Sequence, residues 1–218
     1  MPELKDLLTA VVTLLATFTG AWAAFAFERS RRRDDEETQN VGAANRALYT
    51  LFNLWNVLEQ FRQSVIEPHR GKRDAWLNLA ATLPTNSGLA TFEAGELAFL
   101  LQTPHASVYA TLMLEQQRFA SAISLIETRS SNVLNDVFPA LAQAGVTVGA
   151  SRPEVQVEQI IGIDTARKLK VITESLIKNI DEDLLSIVGA YEELQKSMKI
   201  IYPKRKLIQV HFGLGGTK

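Results

Sequence analysis

The chain has 218 residues, 46% of them hydrophobic and 22% charged, with a net charge of −1 and no cysteine. That length suffices for one ordinary domain with its own core, and the missing cysteines exclude a disulfide scaffold, thiolate metal sites and thiol catalysis. Near-neutral charge excludes a generally basic nucleic-acid binder, and a count of 12 Gly and 7 Pro excludes low complexity. A mean hydropathy of zero is high for so charged a chain. Its source is local.

Between Asp6 and Glu28 lie 21 uncharged residues, broken only by four threonines and Gly20. As a helix this stretch is about 31 Å long, which matches the hydrocarbon core of a bilayer. Arg29, Arg31, Arg32 and Arg33 follow at once, whereas the other flank offers little beyond Lys5. The positive-inside rule therefore predicts an N-terminus outside and the rest of the chain in the cytoplasm, anchored in the inner (cytoplasmic) membrane. Trp22, Phe25 and Phe27 are placed for an aromatic belt at the cytoplasmic headgroups. A cleaved signal peptide would have a shorter apolar region and its positive charges on the other side. Thr9, Thr13, Ala16, Gly20 and Ala24 recur at intervals of four and three. They make one stripe of small residues, of the kind that lets membrane helices pack closely. Self-association through this stripe is the expectation, and a threonine-lined pore is its sharper version.

From Glu28 to Glu67 there is no proline, and Ala47, Leu51, Leu54, Leu58, Phe61 and Val65 repeat with helical spacing, widened by Leu48, Phe52 and Trp55. This predicts that the membrane helix continues into the cytoplasm and ends before Pro68, with Gly42 as a site for a break. Residues 68–90 read as a connection with one short helix around Asp74–Thr82, followed by a brief helix Leu89–Leu101. Thr103-Pro104 predicts the cap and first turn of a helix that Pro139 stops after Phe138. Its seam holds two polar members, Gln116 and Ser130, expected to satisfy each other or water.

Gly145 to Pro153 reads as a linker, Ser151 and Glu154 have capping-box spacing, and Asp164 is a candidate cap after Gly162. A last long helix carries Leu169, Ile172, Leu176, Ile180, Leu184, Ile187, Tyr191, Leu194, Met198 and Ile201 on one face and ends at Pro203. Leu207–Phe212 alternates weakly, as a short strand or an extended tail would. The predicted fold class is all-α, with a single transmembrane helix (1–28) continuing into an elongated antiparallel helical bundle, coiled-coil-like in its seams (29–202), and a basic extended tail (203–218).

Motifs of catalysis are scarce. There is no Walker loop, dinucleotide fingerprint, nucleophile elbow or paired histidine on a helix. Gly213–Lys218 is glycine-rich but has no following helix to present amides to a phosphate. Asp181, Glu182 and Asp183 point three ways on a helix and read as a solvated face. His69, His105 and His211 have no ligand partner at metal spacing, so neither metal nor cofactor is expected.

Arg62 with His69, and Arg205 with His211, have a loose Arg-then-His spacing on a helical background. In this the chain resembles the HEPN-type ribonucleases, some of which are membrane-associated effectors of phage defence. The resemblance covers those few residues and implies RNA cleavage by an Arg–His pair. Gln63 and Lys206 depart from the small polar residue that usually follows the family's Arg.

Charge is unevenly laid out. Lys196, Lys199, Lys204, Arg205, Lys206 and Lys218 give the last stretch +6 with no acid, so the preceding residues carry −7. A basic tail suits an acidic protein surface, anionic lipid or nucleic acid. Three long helices running out, back and out would carry it away from the membrane and leave lipid out of reach. The expectation is a non-catalytic, self-associating, membrane-anchored protein that binds an unidentified cytoplasmic protein, with nucleic acid a lesser partner. The alternative is an oligomeric effector whose spans perturb the bilayer.

Overall fold

The computed structural model describes residues 2–82, 91–146 and 153–213. Among them the fold is all-α, with no strand. Helix α1 (Pro2–Phe61) runs unbroken for 60 residues, about 90 Å. The turns through Gly42 stay helical, so that glycine makes no break.

The chain stays helical past α1, but in altered pitch. Arg62–Ile66 is a π turn and Glu67–His69 a 3₁₀ turn. The same device recurs after α3 (Ala106–Asn132), where the π turn Val133–Val137 leads into α4 (Phe138–Gln143). In each, the residue before a proline bonds five residues back: the Glu67 N–H to the Arg62 carbonyl, the Phe138 N–H to the Val133 carbonyl. A proline ring collides with the carbonyl four residues earlier, and widening the preceding turn by one residue relieves that collision. Pro139 therefore does not stop the helix, contrary to the sequence expectation.

Between α1 and α3 the expected helices shrink. Helix α2 is only Ala75–Asn78, and instead of a helix up to Leu101 there are turns around Gly95 and a 3₁₀ segment, Ala98–Gln102. Leu89 and Ala90 lie outside the described residues. Thr103 Oγ1 accepts the His105 N–H at 3.1 Å and donates to the Leu100 carbonyl at 2.7 Å. It thus closes a local turn, and α3 starts only at Ala106. Helix α5 (Glu154–Ile161) is joined to α6 (Ile163–Ile201) through Gly162, whose φ of 88° lies where side chains are strained. Asp164 does not cap α6: it is exposed in the first turn and pairs with Arg167 at 3.3 Å. Ser151 lies outside the described residues.

Helix α6 packs against both α1 and α3 and is antiparallel to each. Asn40 bonds Tyr202 and Arg70 bonds Asp181, while Thr111 meets Glu193 and Arg129 meets Thr173. Helices α1 and α3 therefore run the same way. The order is out, out and back, not out, back and out, and α6 ends where α1 leaves the bundle.

The main core joins Leu48, Leu51, Leu54 and Leu58 of α1 to Leu112, Phe119, Ile123 and Ile126 of α3 and to the α6 seam from Leu176 to Met198. A smaller core at the far end holds Trp76, Val133, Val137, Val157, Ile161 and Leu169. Arg129 joins the two. It is 2% exposed and donates to the Trp76, Leu79 and Ala80 carbonyls and to Thr173 Oγ1. Burial without an acidic partner pushes its guanidinium down to about 10.

Gln116 and Ser130, the polar members of the α3 seam, do not pair with each other. Gln116 Oε1 accepts the Phe92 N–H at 2.8 Å, and Ser130 exchanges two hydrogen bonds with the Thr82 backbone. Both clamp the connecting segment to α3.

Replacing Arg129 by Ala leaves three carbonyls without donors and opens a cavity, for an expected loss of about 3 kcal/mol or more in denaturant unfolding. Hydrogen exchange should report early loss of protection at residues 75–82. An unchanged midpoint would show that Arg129 is not the joint.

Candidate functional site

Three places hold the candidate residues: the projecting part of α1, the end of the bundle from which it projects, and a charged cleft on the side.

The projecting part is the stem, residues 2–33. Its most apolar window has a mean hydropathy of 1.5, and none of it is buried. Phe18, Trp22, Phe25 and Phe27 are each more than 70% exposed. This is one helix long and apolar enough to cross a membrane, near the N-terminus. Thr13, Thr17 and Thr19 donate their hydroxyls to carbonyls four residues back, at 2.7–2.8 Å. Those groups are satisfied within the helix itself, as an apolar solvent requires. Thr13, Ala16, Gly20 and Ala24 share a face with Thr9, and nothing lies within 4 Å of a side chain added at Gly20.

Arg29, Arg31, Arg32 and Arg33 form a collar above the apolar stretch, all exposed. Arg32 pairs with Glu28 at 2.9 Å and Arg33 with Glu37 at 3.2 Å.

At the stem end of the bundle, α6 stops at Ile201 and the chain reverses in a turn closed by the Arg205 N–H on the Tyr202 carbonyl at 3.1 Å. Lys204, Arg205 and Lys206 occupy the tip. Arg205 pairs with Asp34 and reaches Glu37 at 3.5 Å, and these carboxylates raise its pKa above the ordinary value. Lys204 and Lys206 are exposed.

Beyond the turn the chain is extended but forms no strand, and it lies along the bundle. The Ile208 N–H donates to Asn45 Oδ1 at 3.0 Å, and the Val210 N–H to the Tyr191 hydroxyl at 3.0 Å. That hydroxyl donates to the Ile208 carbonyl at 3.2 Å. Phe212 meets Trp55 and Tyr191 edge-on, at 5.3 and 5.0 Å between ring centres. Residues 214–218, Lys218 included, lie outside the described residues.

The cleft, about 320 Å³, is lined by Trp55, Glu59, Arg62, Glu67, Arg70 and Asp181 among others. Its charges engage one another: Arg62 with Glu59 at 2.8 Å, and Arg70 with both Glu67 and Asp181. The hydrogen bonds to Glu59 and Asp181 raise Arg62 and Arg70 above the ordinary guanidinium range. Trp55 Nε1, Glu59 Oε2 and Arg62 Nε are buried without a hydrogen-bond partner among the described residues.

The Arg–His pairs of the nuclease resemblance are not assembled. Arg62 and Arg205 serve carboxylates, His69 sits half-buried in the 3₁₀ turn and His211 is exposed. Among the described residues no hydrogen bond links either histidine to either arginine. The remaining histidine, His105, lies 3.2 Å from Ser197 Oγ.

Of the consecutive acids, Glu182 is exposed, Asp181 is taken by Arg70, and Asp183 is buried, so they are not one solvated face. Beside Asp183 lies Glu115, buried on α3, whose Oε1 accepts from Ser186 Oγ at 2.6 Å and Arg118 at 2.8 Å. Sequence reasoning missed Glu115 and Arg129, because each occupies a heptad-like core position under a polar identity. No family model, curated protein or solved structure matches the chain.

Burial, and then the neighbouring Glu115, push the Asp183 carboxyl up from 3.8 to about 6, against a smaller opposing pull from Arg118. The folded state thus holds this proton more tightly than the unfolded chain does. Ionisation costs stability above pH 6, and the cost fades as the pH falls toward 4. Asp183→Asn should therefore stabilise the protein at pH 8 by about 1–3 kcal/mol, with the gain vanishing near pH 4. Thermal unfolding of both proteins across that range checks it. A gain independent of pH would contradict the assignment.

Proposed function

We propose that this chain is a single-pass, membrane-anchored helical protein whose bundle works as an assembly or partner-binding module without chemistry of its own. The observation that carries this reading is the stem: an apolar surface, wholly unburied, on a helix continuous with the bundle core. In water a surface of this size is a large unpaid hydrophobic term, at roughly 25 cal/mol per Å², and a bilayer removes it. The arginine collar orients the span with the bundle in the cytoplasm, an address that suits a chain without cysteine.

Self-association is the second part of the proposal. The small-residue face of the stem offers close helix approach. The threonine hydroxyls already turned onto their own carbonyls favour packing over a water-lined pore. The mutual neutralisation of Arg62, Arg70 and their carboxylates supports a scaffold rather than a reactive site.

Full-length protein made in bacteria is expected to stay in the membrane pellet after alkaline carbonate and to leave it in mild detergent. Release by carbonate would contradict the anchor. In detergent, light scattering should report an oligomer that Gly20→Ile reduces toward monomer. A monomeric parent protein would contradict self-association and leave the anchor standing.

A further inference from the structure

The reversal of the C-terminal segment has an electrostatic consequence at the foot of the bundle. Residues 28–37 of α1 carry four arginines and five carboxylates, a net charge of −1. Taken alone, this layer is weakly repelled by an anionic surface. Lys204, Arg205 and Lys206 enter the same layer from the other end of the chain and change its net charge to +2.

Depth along α1 puts this turn at the membrane surface. Asp34, the partner of Arg205, lies seven residues past Phe27, about 10 Å along the helix axis. The headgroup region occupies roughly the first 5–7 Å of that distance. The turn therefore sits within a Debye length, ~8 Å at physiological salt, of the lipid phosphates. Lys196 and Lys199 belong further up, because Tyr202 is level with Asn40 and α6 climbs away from there.

The turn is also held in place. Arg205 is pinned to Asp34 and Glu37, Asn40 binds the Tyr202 hydroxyl, Asn45 binds the Ile208 backbone, and Phe212 is wedged against Trp55 and Tyr191. The two lysines flanking the pinned arginine take no part in these contacts and are exposed.

We infer that the Lys204–Lys206 turn is a second membrane contact, which binds the headgroups of anionic phospholipids beside the span. Its occupant is a lipid phosphate: the ligand must be anionic, and the turn faces the surface that the span itself reaches. The inference rests on the reading of α1 as a membrane span.

The test uses the full chain, which has no cysteine of its own. A single Gln209→Cys carries a donor dye. The protein is reconstituted in phosphatidylcholine vesicles containing 30% phosphatidylglycerol, with the acceptor on the headgroup of one lipid or the other. Transfer to labelled phosphatidylglycerol should exceed transfer to labelled phosphatidylcholine. That preference should fall about twofold or more in Lys204→Glu/Lys206→Glu and in 0.5 M salt. Lys204→Gln/Lys206→Gln should give an intermediate fall, and circular dichroism checks that each variant is folded. A preference identical in parent and both variants overturns the inference while leaving the anchor intact. Failure of the parent protein to float with vesicles after carbonate treatment overturns the anchor, and this inference with it.

Discussion

The molecule depends on one packing constraint: α6 lies between α1 and α3 and is antiparallel to both. Its seam from Leu169 to Met198 is buried on two sides, and most of the core is built onto it. Fully burying side chains such as Leu176, Ile180 and Leu194 supplies about 1.5–3 kcal/mol each, which makes α6 the element that the others cannot replace. Because α1 and α3 then run in the same direction, the segment between them must travel the length of the bundle. Its described residues hold little helix, and they are fixed to α3 by the Arg129 guanidinium, the Ser130 hydroxyl and the Gln116 amide. Polar side chains at core positions of α3 stand in for the backbone hydrogen bonds that a regular connection would have made.

Much of this was legible in the residues. The three long helices and their apolar faces follow from spacing that helix geometry alone explains, whereas the sequence left a break open at Gly42 and the structure has none. The direction of the helices was not legible. An amphipathic stripe says that a face is buried but not against which neighbour, and a 39-residue connection, 67 to 105, is compatible with either order. The prolines misled for a related reason. Proline forbids an ordinary α turn, yet a π turn one residue wider satisfies the same sterics. At the candidate sites, sequence reasoning found the stripe, the collar and the basic residues, and it saw the uneven charge. It missed Glu115, Asp183 and Arg129 as buried groups, because a charged residue on an otherwise apolar seam reads as an interruption until its partners are known.

The root of the stem and the turn after α6 meet at one end of the bundle, and this links the fold to the proposed function. A −7 body and a +6 C-terminal stretch suggested a basic tail free to find any acidic partner. Folded, the tail is extended along α1 and α6 with its aromatic end inserted between Trp55 and Tyr191, and its basic turn lies beside the root of the stem. Arg205 neutralises two of the carboxylates that would oppose an anionic bilayer there. The opposite end of the bundle carries the small second core and its own ion pairs of Glu154 with Arg73 and Lys170, far from the stem. If the stem crosses the membrane, that end is the one farthest from the bilayer.

The return of the C-terminal segment to the root of the stem is the point on which the rest turns. A distance measurement between spin labels at Asp35→Cys and Lys206→Cys in the full chain addresses it directly. The structure predicts a separation below about 20 Å, the scale of two adjacent helices and their labels. A separation near 50 Å, the length of a bundle helix, would show the C-terminal turn at the far end and contradict this account.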